Sequence, residues 1–263
     1  MSFTAKDVQN LRQATGVGMM DAKRALEAND GDMEAAVQWL RVQGLASAAK
    51  RADREASEGA VAVVRDGNVA AIVELRCETD FVAKSQEFVA LADEIAAKVV
   101  AEDEQSVEHF KENIETMLTT LKENISIGRV YRLEAGPGEV IDTYLHIQAD
   151  RGVNAVIVVV KDGSEDVAHE LTLHIAFARP EYLRREDVPA AAVEAERKTI
   201  EEITRNEGKP EAAIPKILEG RLNGWYKERV LLDQPYVQDD KETVAQFLKG
   251  ASISAYAQVV IGG

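Results

Sequence analysis

Hydrophobic residues recur every three or four positions at the start of the chain, which is the spacing of one face of an α-helix. Val8 and Leu11 form one such pair, and the same spacing returns over 33–40. The turn-forming sequences TGVG, at 15–18, and NDGD, at 29–32, interrupt the periodicity twice. The pattern therefore predicts three short helices that form one compact module.

From residue 59 onward the pattern changes to short runs rich in alanine and valine, which favour β-strands. Two of these runs flank Asp66 and Gly67, a pair that readily adopts the positive φ of a tight hairpin turn. Three later segments have the same character, namely ISIGRVYRLEA, GEVIDTYLHIQ and VNAVIVVV. The chain is therefore expected to form sheets that contain hairpins.

Helical periodicity returns directly after the first hairpin. Phe81, Phe88 and Val99 fall on one face of a helix that begins at Thr79. This helix is expected to be continuous and to pack on the hairpin. A second helix is predicted to follow over 106–123.

A pair of helices is predicted between residues 188 and 230. The two helical stretches meet at NEGKP, where Gly208 is a helix stop and Pro210 a helix start. Such a connection favours an antiparallel helical hairpin. The last residues, from 241 onward, predict a short helix and a final strand that returns to the second sheet.

A hairpin followed by a helix occurs twice, around 59–100 and around 139–178, which indicates a weak internal duplication of structure. The stretch 46–59 has no large apolar residue and marks a domain boundary. Together the elements predict an α+β fold. The expected domains are a helical module with its linker (1–54), a first sheet-plus-helix subdomain (55–138), and a similar second subdomain (139–263) with the helical hairpin 188–230 inserted.

Composition and charge narrow the class of protein. Hydrophobic residues make up 46% of the chain and charged residues 29%, which is typical of a soluble globular protein. The formal net charge of -15 opposes binding to nucleic acid, because such binding relies on clustered Lys and Arg. The chain has no apolar run long enough to span a membrane and no signal-peptide pattern. We therefore expect a cytoplasmic protein with a protein partner, and no direct binding to nucleic acid or membrane.

Motifs for catalysis or metal binding do not emerge from the sequence. It contains neither a Walker-type phosphate loop nor a GxGxxG after a strand. His169 and His174 would point about 140° apart on a helix, which does not suit a shared metal. The single cysteine, Cys77, is expected to be buried and unreactive. The prediction is a protein that is not an enzyme and holds no metal or cofactor.

The segment CETDFVAK, at 77–84, stands out from this background because it places an acid beside a large aromatic where a strand gives way to a helix. Thr79 is a natural N-cap, and Asp80 in the first turn complements the positive end of the helix dipole. Phe81 has two interpretations: either it joins Phe88 in the core, or it protrudes as an aromatic anchor for a partner's pocket. The pattern leaves both open.

Two segments resemble the translation elongation factor Ts family, whose members are guanine-nucleotide exchange factors for elongation factor Tu. The first is LRQATGVGMMDAKRAL, at 11–26, and the second is ETDFVAK, at 78–84. Shorter matches follow along the chain: ENISIGRV at 123–130, GKP at 208–210, EGRL at 219–222 and LLDQPYV at 231–237. The resemblance therefore extends from end to end.

The resemblance implies that the chain promotes exchange of GDP for GTP on elongation factor Tu. In this family the segment matching ETDFVAK enters the GTPase domain near its Mg²⁺ and phosphate sites; here those residues are Thr79, Asp80, Phe81 and Val82. Because Mg²⁺ bridges the nucleotide phosphates to the protein, disturbing its ligands weakens the hold on GDP. Further implied partner contacts are Val17, Met19, Met20, Lys23 and His146.

The resemblance also implies architecture. It matches the first helices to a ubiquitin-associated-like module, and the helical hairpin to a coiled-coil extension that joins complexes in some members, so a dimer of heterodimers is expected. Two positions depart from the family pattern: Arg76, where Asn is common, and Ile147, where many members have Gly. Contacts made by an extra C-terminal helix in some members are not carried over to this chain.

Alternatives to these interpretations remain. Met19 or Met20 is either a surface contact or part of the module core, and Lys23 is either a contact or a solvated charge. A ribosome-binding or ubiquitin-like-binding adaptor would use the helical module but would not need Asp80 and Phe81. A hydrolase would need clustered titratable groups and would show turnover without a partner.

Overall fold

The computed structural model describes residues 3–49 and 53–262. The helices within these ranges are α1 (Ala5–Thr15), α2 (Met19–Ala28), α3 (Met33–Ala49), α4 (Asp80–Ala83), α5 (Gln86–Ala101), α6 (Lys111–Leu121), α7 (Glu165–Ala178), α8 (Ala190–Asn206), α9 (Ile214–Arg229) and α10 (Val244–Phe247). The strands are β1 (Glu58–Asp66), β2 (Val69–Cys77), β3 (Ser126–Glu134), β4 (Glu139–Gln148), β5 (Arg151–Lys161), β6 (Pro235–Tyr236), β7 (Asp239–Thr243) and β8 (Ser252–Val260). Small antiparallel sheets packed with helices make the fold α+β, as predicted.

The first three helices form as the periodicity predicted. Thr4 begins α1 with a reciprocal cap, because its backbone N–H donates to the Asp7 carboxylate at 2.7 Å and its hydroxyl accepts from the Asp7 N–H at 3.4 Å. Gly16 ends the helix in the left-handed conformation, with φ of +70°. Leu11 and Leu26 are fully buried between the helices. These contacts give the module its own apolar core.

The predicted boundary region is described only in part. Helix α3 continues to Ala49, β1 begins at Glu58, and residues 50–52 of the expected linker lie outside the described residues. The domain limits therefore stay a prediction.

The first sheet has the strand order β1-β2-β3. Asp66 pairs with Val69 across the turn, and Gly67 takes a φ of +57°, as expected for the predicted hairpin. Helix α5 covers one face of this sheet and buries Phe88 and Ile95 completely. The result is the first of two hairpin-and-helix layers.

The prediction of one continuous helix from Thr79 is wrong. Helix α4 ends at Ala83, and Ser85 begins α5 as a new N-cap by accepting a hydrogen bond from the Phe88 N–H at 3.4 Å. A serine that caps a helix has extended backbone, so it cannot also continue the preceding helix. Phe81 consequently leaves the face that carries Phe88.

The helix predicted over 106–123 is also shorter than expected. The segment Glu104–Phe110 is a 3₁₀ helix, in which Asp103 accepts from the Gln105 N–H at 2.8 Å and caps the first turn. Helix α6 ends at Leu121, and Lys122 follows in the left-handed conformation with φ of 60°. The chain turns there toward β3.

The second sheet has the order β4-β5-β8, so the final strand returns to it as predicted. Helix α7 packs on this sheet and buries Leu171 and Ile175. The opposite face meets the first sheet, where Ile72 and Ile157 belong to one shared apolar cluster. The two sheets therefore form a single packed body with helices on its outer faces.

Helices α8 and α9 pack on each other as the predicted hairpin. Gly208 follows the end of α8 with φ of +71°, and Arg221 of α9 pairs with Glu207 at 2.7 Å. The small sheet formed by β6 and β7 was not predicted, because β6 has only two residues and β7 has the polar sequence DDKET, so neither shows the alternation of a strand.

Candidate functional site

The connection from β2 to α5 forms an exposed corner, defined here as residues 78–84. Thr79 is the N-cap of α4, as predicted, and its hydroxyl accepts from the Val82 N–H at 3.4 Å. The Phe81 side chain is 74% exposed. The core interpretation of Phe81 is therefore wrong for this structure, and the aromatic ring protrudes.

Asp80 lies beside that ring as a charged group. Lys84 pairs with the Asp80 carboxylate at 3.0 Å, and its ammonium nitrogen is 4.5 Å from the centre of the Phe81 ring. The hydrogen bond from Lys84 lowers the pKa of Asp80 below its ordinary value. At neutral pH the corner therefore presents an ionised carboxylate, a cation and an aromatic face together.

Two glutamates, one outside the corner and one within it, fix the corner to the rest of the molecule. Glu123 accepts hydrogen bonds from the backbone N–H groups of Glu78 and Thr79, each at 3.0 Å. It also accepts from the Thr79 hydroxyl at 2.5 Å. In return, Glu78 accepts from the Asn124 N–H at 2.7 Å. The corner is thus fixed to the segment that joins α6 to β3.

Sequence reasoning did not find Glu123 as a site residue. The motif ENISIGRV contains it, but nothing in that motif's local pattern points to a residue 44 or 45 positions earlier in the chain. A capping carboxylate from a distant segment leaves no period and no spacing rule in a single sequence.

The turn between β4 and β5 approaches the corner from the second sheet. Arg151 donates to the Gly59 carbonyl at 2.6 Å and pairs with Glu58 at 2.7 Å, which ties this turn to the start of β1. The Arg151 charge also contributes to the lowered pKa of Asp80, after the larger effect of Lys84. One end of the second hairpin therefore shares the electrostatic environment of the corner.

His146 lies near the end of β4 and is exposed. Its ring is stacked on Tyr144 with 6.5 Å between the ring centres, and its Nδ1 is 3.3 Å from the Tyr144 hydroxyl. Ile147, which replaces the glycine common in the family, is 63% exposed. The predicted contact is therefore a surface of stacked rings beside an exposed aliphatic side chain.

The start of α2 provides a second exposed apolar surface. Met20 is 65% exposed and Met19 is about half exposed, so neither belongs to the module core. Lys23 is solvent-accessible and pairs with Glu27 at 3.5 Å. Val17 differs from these three, because it is only 9% exposed and packs inside the module.

The helical module is attached to α6 beside this surface. Lys122 pairs with Asp21 in the first turn of α2 at 2.7 Å, and this hydrogen bond lowers the pKa of Asp21. Farther along, Arg41 of α3 lies 3.4 Å from Glu112 and 3.3 Å from Glu115 of α6. Neighbouring residues, Lys122 and Glu123, therefore reach the module and the corner respectively.

Arg76 turns away from the corner. It pairs with Glu74 at 3.0 Å, and Arg129 pairs with the same carboxylate at 2.8 Å. Burial alone would raise the pKa of Glu74, but the hydrogen bonds from Arg129 and Arg76 outweigh it and lower the pKa to about 2. The Arg76 departure from the family pattern therefore supplies a second, partly exposed arginine to the buried Glu74 carboxylate.

Cys77 is fully buried, as expected, and burial raises its thiol pKa to about 12. Such a thiol stays protonated at neutral pH and is a poor nucleophile. Among residues 3–49 and 53–262, His, Cys, Asp and Glu side chains form no group of three or more that could hold a metal ion. Over the same ranges, no helix combines the length and apolar character needed to cross a bilayer.

Comparison with known proteins shows which family this sequence matches. The family model described as "Elongation factor TS" matches residues 78–262. A protein named "Elongation factor Ts" from Clavibacter michiganensis is 43% identical over 275 aligned residues, which cover 99% of each chain. Its namesakes from Kineococcus radiotolerans and Renibacterium salmoninarum are each 42% identical, over 96% and 97% of this chain and 95% and 96% of their own.

Proposed function

The chain belongs to the elongation factor Ts family, and from this premise we propose that it promotes the release of GDP from elongation factor Tu and its exchange for GTP. One observation carries the proposal furthest. The exposed Phe81 ring and the ionised Asp80 stand together on a capped turn that distant residues hold in place. An apolar anchor on a rigid element is what insertion into a partner's pocket requires.

In the proposed mechanism the corner enters the GTPase near its Mg²⁺ and phosphate sites. Phe81 displaces apolar side chains of the partner, and Asp80 competes electrostatically around the cation. Since Mg²⁺ bridges nucleotide and protein in GTPases, loss of its proper ligands removes a large part of the affinity for GDP. Val82 fills the base of the contact. The capping role of Thr79 suits a contribution through the shape of the corner.

Exchange also requires thermodynamic coupling. The factor must bind nucleotide-free elongation factor Tu more tightly than the nucleotide-bound form, and the weakening is then reciprocal. GDP leaves faster when the factor is bound, and incoming GTP expels the factor. The chain needs no catalytic group of its own for this cycle, and we place it in the cytoplasm, where translation takes place.

Further contacts belong to the same proposal. Met19, Met20 and Lys23 form an exposed surface on α2 that suits docking on the GTPase. His146 offers a second exposed ring near the corner's end of the sheets. The proposed part of Val17 is indirect, through the packing of the module. The hairpin of α8 and α9 is the proposed element for pairing two complexes.

The test is the release of fluorescent GDP from elongation factor Tu, followed by stopped flow. Wild type should accelerate release, and Phe81→Ala should lower that acceleration by about 30-fold or more, the equivalent of about 2 kcal/mol. Phe177→Ala is the matched control, since Phe177 is 76% exposed but lies on α7. No acceleration by folded wild type would refute the proposed function, and equal loss in both variants would refute the role of the corner.

A further inference from the structure

We propose that Glu123 is a positioning residue for nucleotide exchange: it fixes the direction in which the corner presents Asp80 and Phe81, without touching the partner itself. This inference rests on the proposed function, because it assigns a means of control to the same site. Three hydrogen bonds from the corner to one distant carboxylate carry it.

Glu123 uses both of its oxygens on the corner. One oxygen accepts from two successive backbone N–H groups, at Glu78 and Thr79, and the other accepts from the Thr79 hydroxyl. Bonds to an ionised acceptor are stronger than those between neutral groups. Two backbone groups and one side chain in fixed positions define an orientation, whereas a single contact would leave the corner free to rotate.

The cap of α4 is complete without Glu123. Thr79 supplies the N-cap, and its hydroxyl accepts from the Val82 N–H. Glu123 therefore adds something other than helix initiation. It binds the backbone just before the helix, at the point where β2 has ended, and so sets the angle at which α4 leaves the sheet.

Hydrogen bonds run in both directions between the start of the corner and the segment that follows α6, so the two segments cannot easily slide past each other. Glu78 accepts from the Asn124 N–H at 2.7 Å and lies 3.4 Å from Arg54. Asn124 in turn donates from its side chain to the Arg54 carbonyl at 2.8 Å. Each glutamate thus accepts hydrogen bonds from the other's segment. Movement of the corner along the segment that follows α6 would break several of these charged contacts.

Orientation matters because the proposed work of the corner depends on placing a carboxylate near a cation. A displacement of about 1 Å at a reacting centre can cost on the order of 100-fold in rate. A loosened corner would still bind the partner through Met19, Met20 and the other surfaces. We therefore expect loss of Glu123 to lower the maximal rate of GDP release more than it weakens binding of the factor.

The matched control is Glu139, a carboxylate that also accepts a backbone N–H and a hydroxyl hydrogen bond, but on the second sheet. It accepts from the Gly136 N–H at 2.8 Å and from the Ser254 hydroxyl at 2.5 Å, in the turn that precedes β4. Glu139→Gln therefore removes the same charge from a carboxylate that accepts turn hydrogen bonds on the second sheet. Glu123→Gln keeps the shape of the side chain, and Glu123→Ala removes it.

The experiment measures GDP release from elongation factor Tu over a range of factor concentrations, which separates the plateau rate from the half-saturating concentration. Glu123→Ala should lower the plateau about tenfold and Glu123→Gln about threefold, with smaller changes in half-saturation. Glu139→Gln should match wild type. If Glu123→Ala does not fold, the graded test rests on Glu123→Gln. An unchanged plateau in folded Glu123→Gln and Glu123→Ala would overturn the proposal while leaving the exchange function intact.

A second readout is independent of exchange. Fluorine NMR of 4-fluorophenylalanine incorporated at position 81 reports the motion of the ring in the free protein. Glu123→Gln should change its line width and chemical shift, whereas Glu139→Gln should not. If wild type failed to accelerate release, the proposed function would fall, and this spectrum would still decide whether Glu123 fixes the corner. Identical spectra in all three proteins would overturn the positioning role.

Discussion

The two connections that lead from a sheet to its packed helix, β2 to α5 and β5 to α7, differ in length. In the second sheet, β5 ends at Lys161 and Ser164 already caps α7 by accepting from the Val167 N–H at 3.3 Å. In the first sheet, β2 ends at Cys77 but Ser85 caps α5, and the whole corner lies between them. The short connection shows that a hairpin can meet its helix without a corner. The additional residues of the first connection are therefore free to serve binding.

The short and the long connection also differ in whether they expose a large apolar side chain. The short connection consists of Asp162 and Gly163, with Asp162 in the left-handed conformation, and carries no large side chain. The long connection carries Phe81, which protrudes, while Phe88 in the following helix is fully buried. The contrast between the two sheet-and-helix regions can be tested in four ways, from the largest expected effect to the smallest.

The contrast between Phe88 and Phe81 should appear first in stability. Phe88→Ala is expected to lower the free energy of unfolding by about 3–5 kcal/mol, because it empties a fully buried site. Phe81→Ala should change it by less than about 0.5 kcal/mol, because the ring is exposed. Urea unfolding followed by circular dichroism measures both. A large loss in Phe81→Ala would return this residue to the core and end the contrast.

The central strands of the two sheets should respond differently to acid. Buried Glu74 in β2 has a pKa lowered to about 2, whereas β5 buries only apolar residues from Ala155 to Val160. A lowered folded-state pKa stabilises above the unfolded value of about 4.3 and is lost as pH falls toward the folded value. The contribution of Glu74, up to roughly 3 kcal/mol, should therefore disappear between about pH 5 and 2.

The measurement for Glu74 is a pair of unfolding curves, wild type and Glu74→Gln, at several pH values. The difference in unfolding free energy should be greatest above pH 5 and should shrink steadily on acidification. A difference that stays constant with pH would mean that Glu74 is not held ionised by its arginines. Carbon NMR titration of the Glu74 carboxyl gives the pKa directly.

The two serine caps should be worth about the same. Ser85→Ala and Ser164→Ala are each expected to cost about 1 kcal/mol of unfolding free energy, because each removes a side-chain acceptor from a helix start. Only Ser85→Ala should also alter exchange, since it releases the end of the corner. Thermal unfolding and GDP release, measured on both variants, compare the two regions. Equal effects on exchange would show that the corner has no special part.

The smallest effect is expected from Lys84. Lys84→Met should change the unfolding free energy by only about 0.3 kcal/mol, as for other exposed helical ion pairs. It should raise the pKa of Asp80 toward the ordinary aspartate value, because the main cause of its lowering is removed. NMR titration of the Asp80 carboxyl checks this. Lys198→Met, which breaks an exposed pair with Glu194 at the same four-residue spacing on α8, is the control and should leave that pKa unchanged.

Local features of the fold were predictable because their causes are local. The turn at Asp66 and Gly67 follows from the conformations these two residues permit, and α7 follows from an uninterrupted apolar stripe after Ser164. The break between α4 and α5 was missed because the apolar spacing from Phe81 to Phe88 fits a continuous helix. The capping bond of Ser85 overrides that spacing, and a single serine is a weak signal in a sequence.

The candidate site was predictable only in part, for a related reason. The acid and aromatic pair is visible as two adjacent residues in the sequence, and the family resemblance supplied the role proposed for it. The exposure of Phe81 depends on the helix break, and the grip of Glu123 depends on the return of the chain after α6. Contacts between distant segments are decided by packing, so no rule of spacing along one chain reveals them.

The adjacency of Lys122 and Glu123 has a consequence for affinity. Their Cα atoms are about 3.8 Å apart, yet one side chain holds the helical module at Asp21 and the other holds the corner at Thr79. Two surfaces tied to neighbouring residues behave as a bivalent ligand with a very short, stiff linker. In the proposed complex with the GTPase, binding of either Met20 or Phe81 would present the other at a high effective concentration. Two modest contacts can then give an avidity that neither surface has alone.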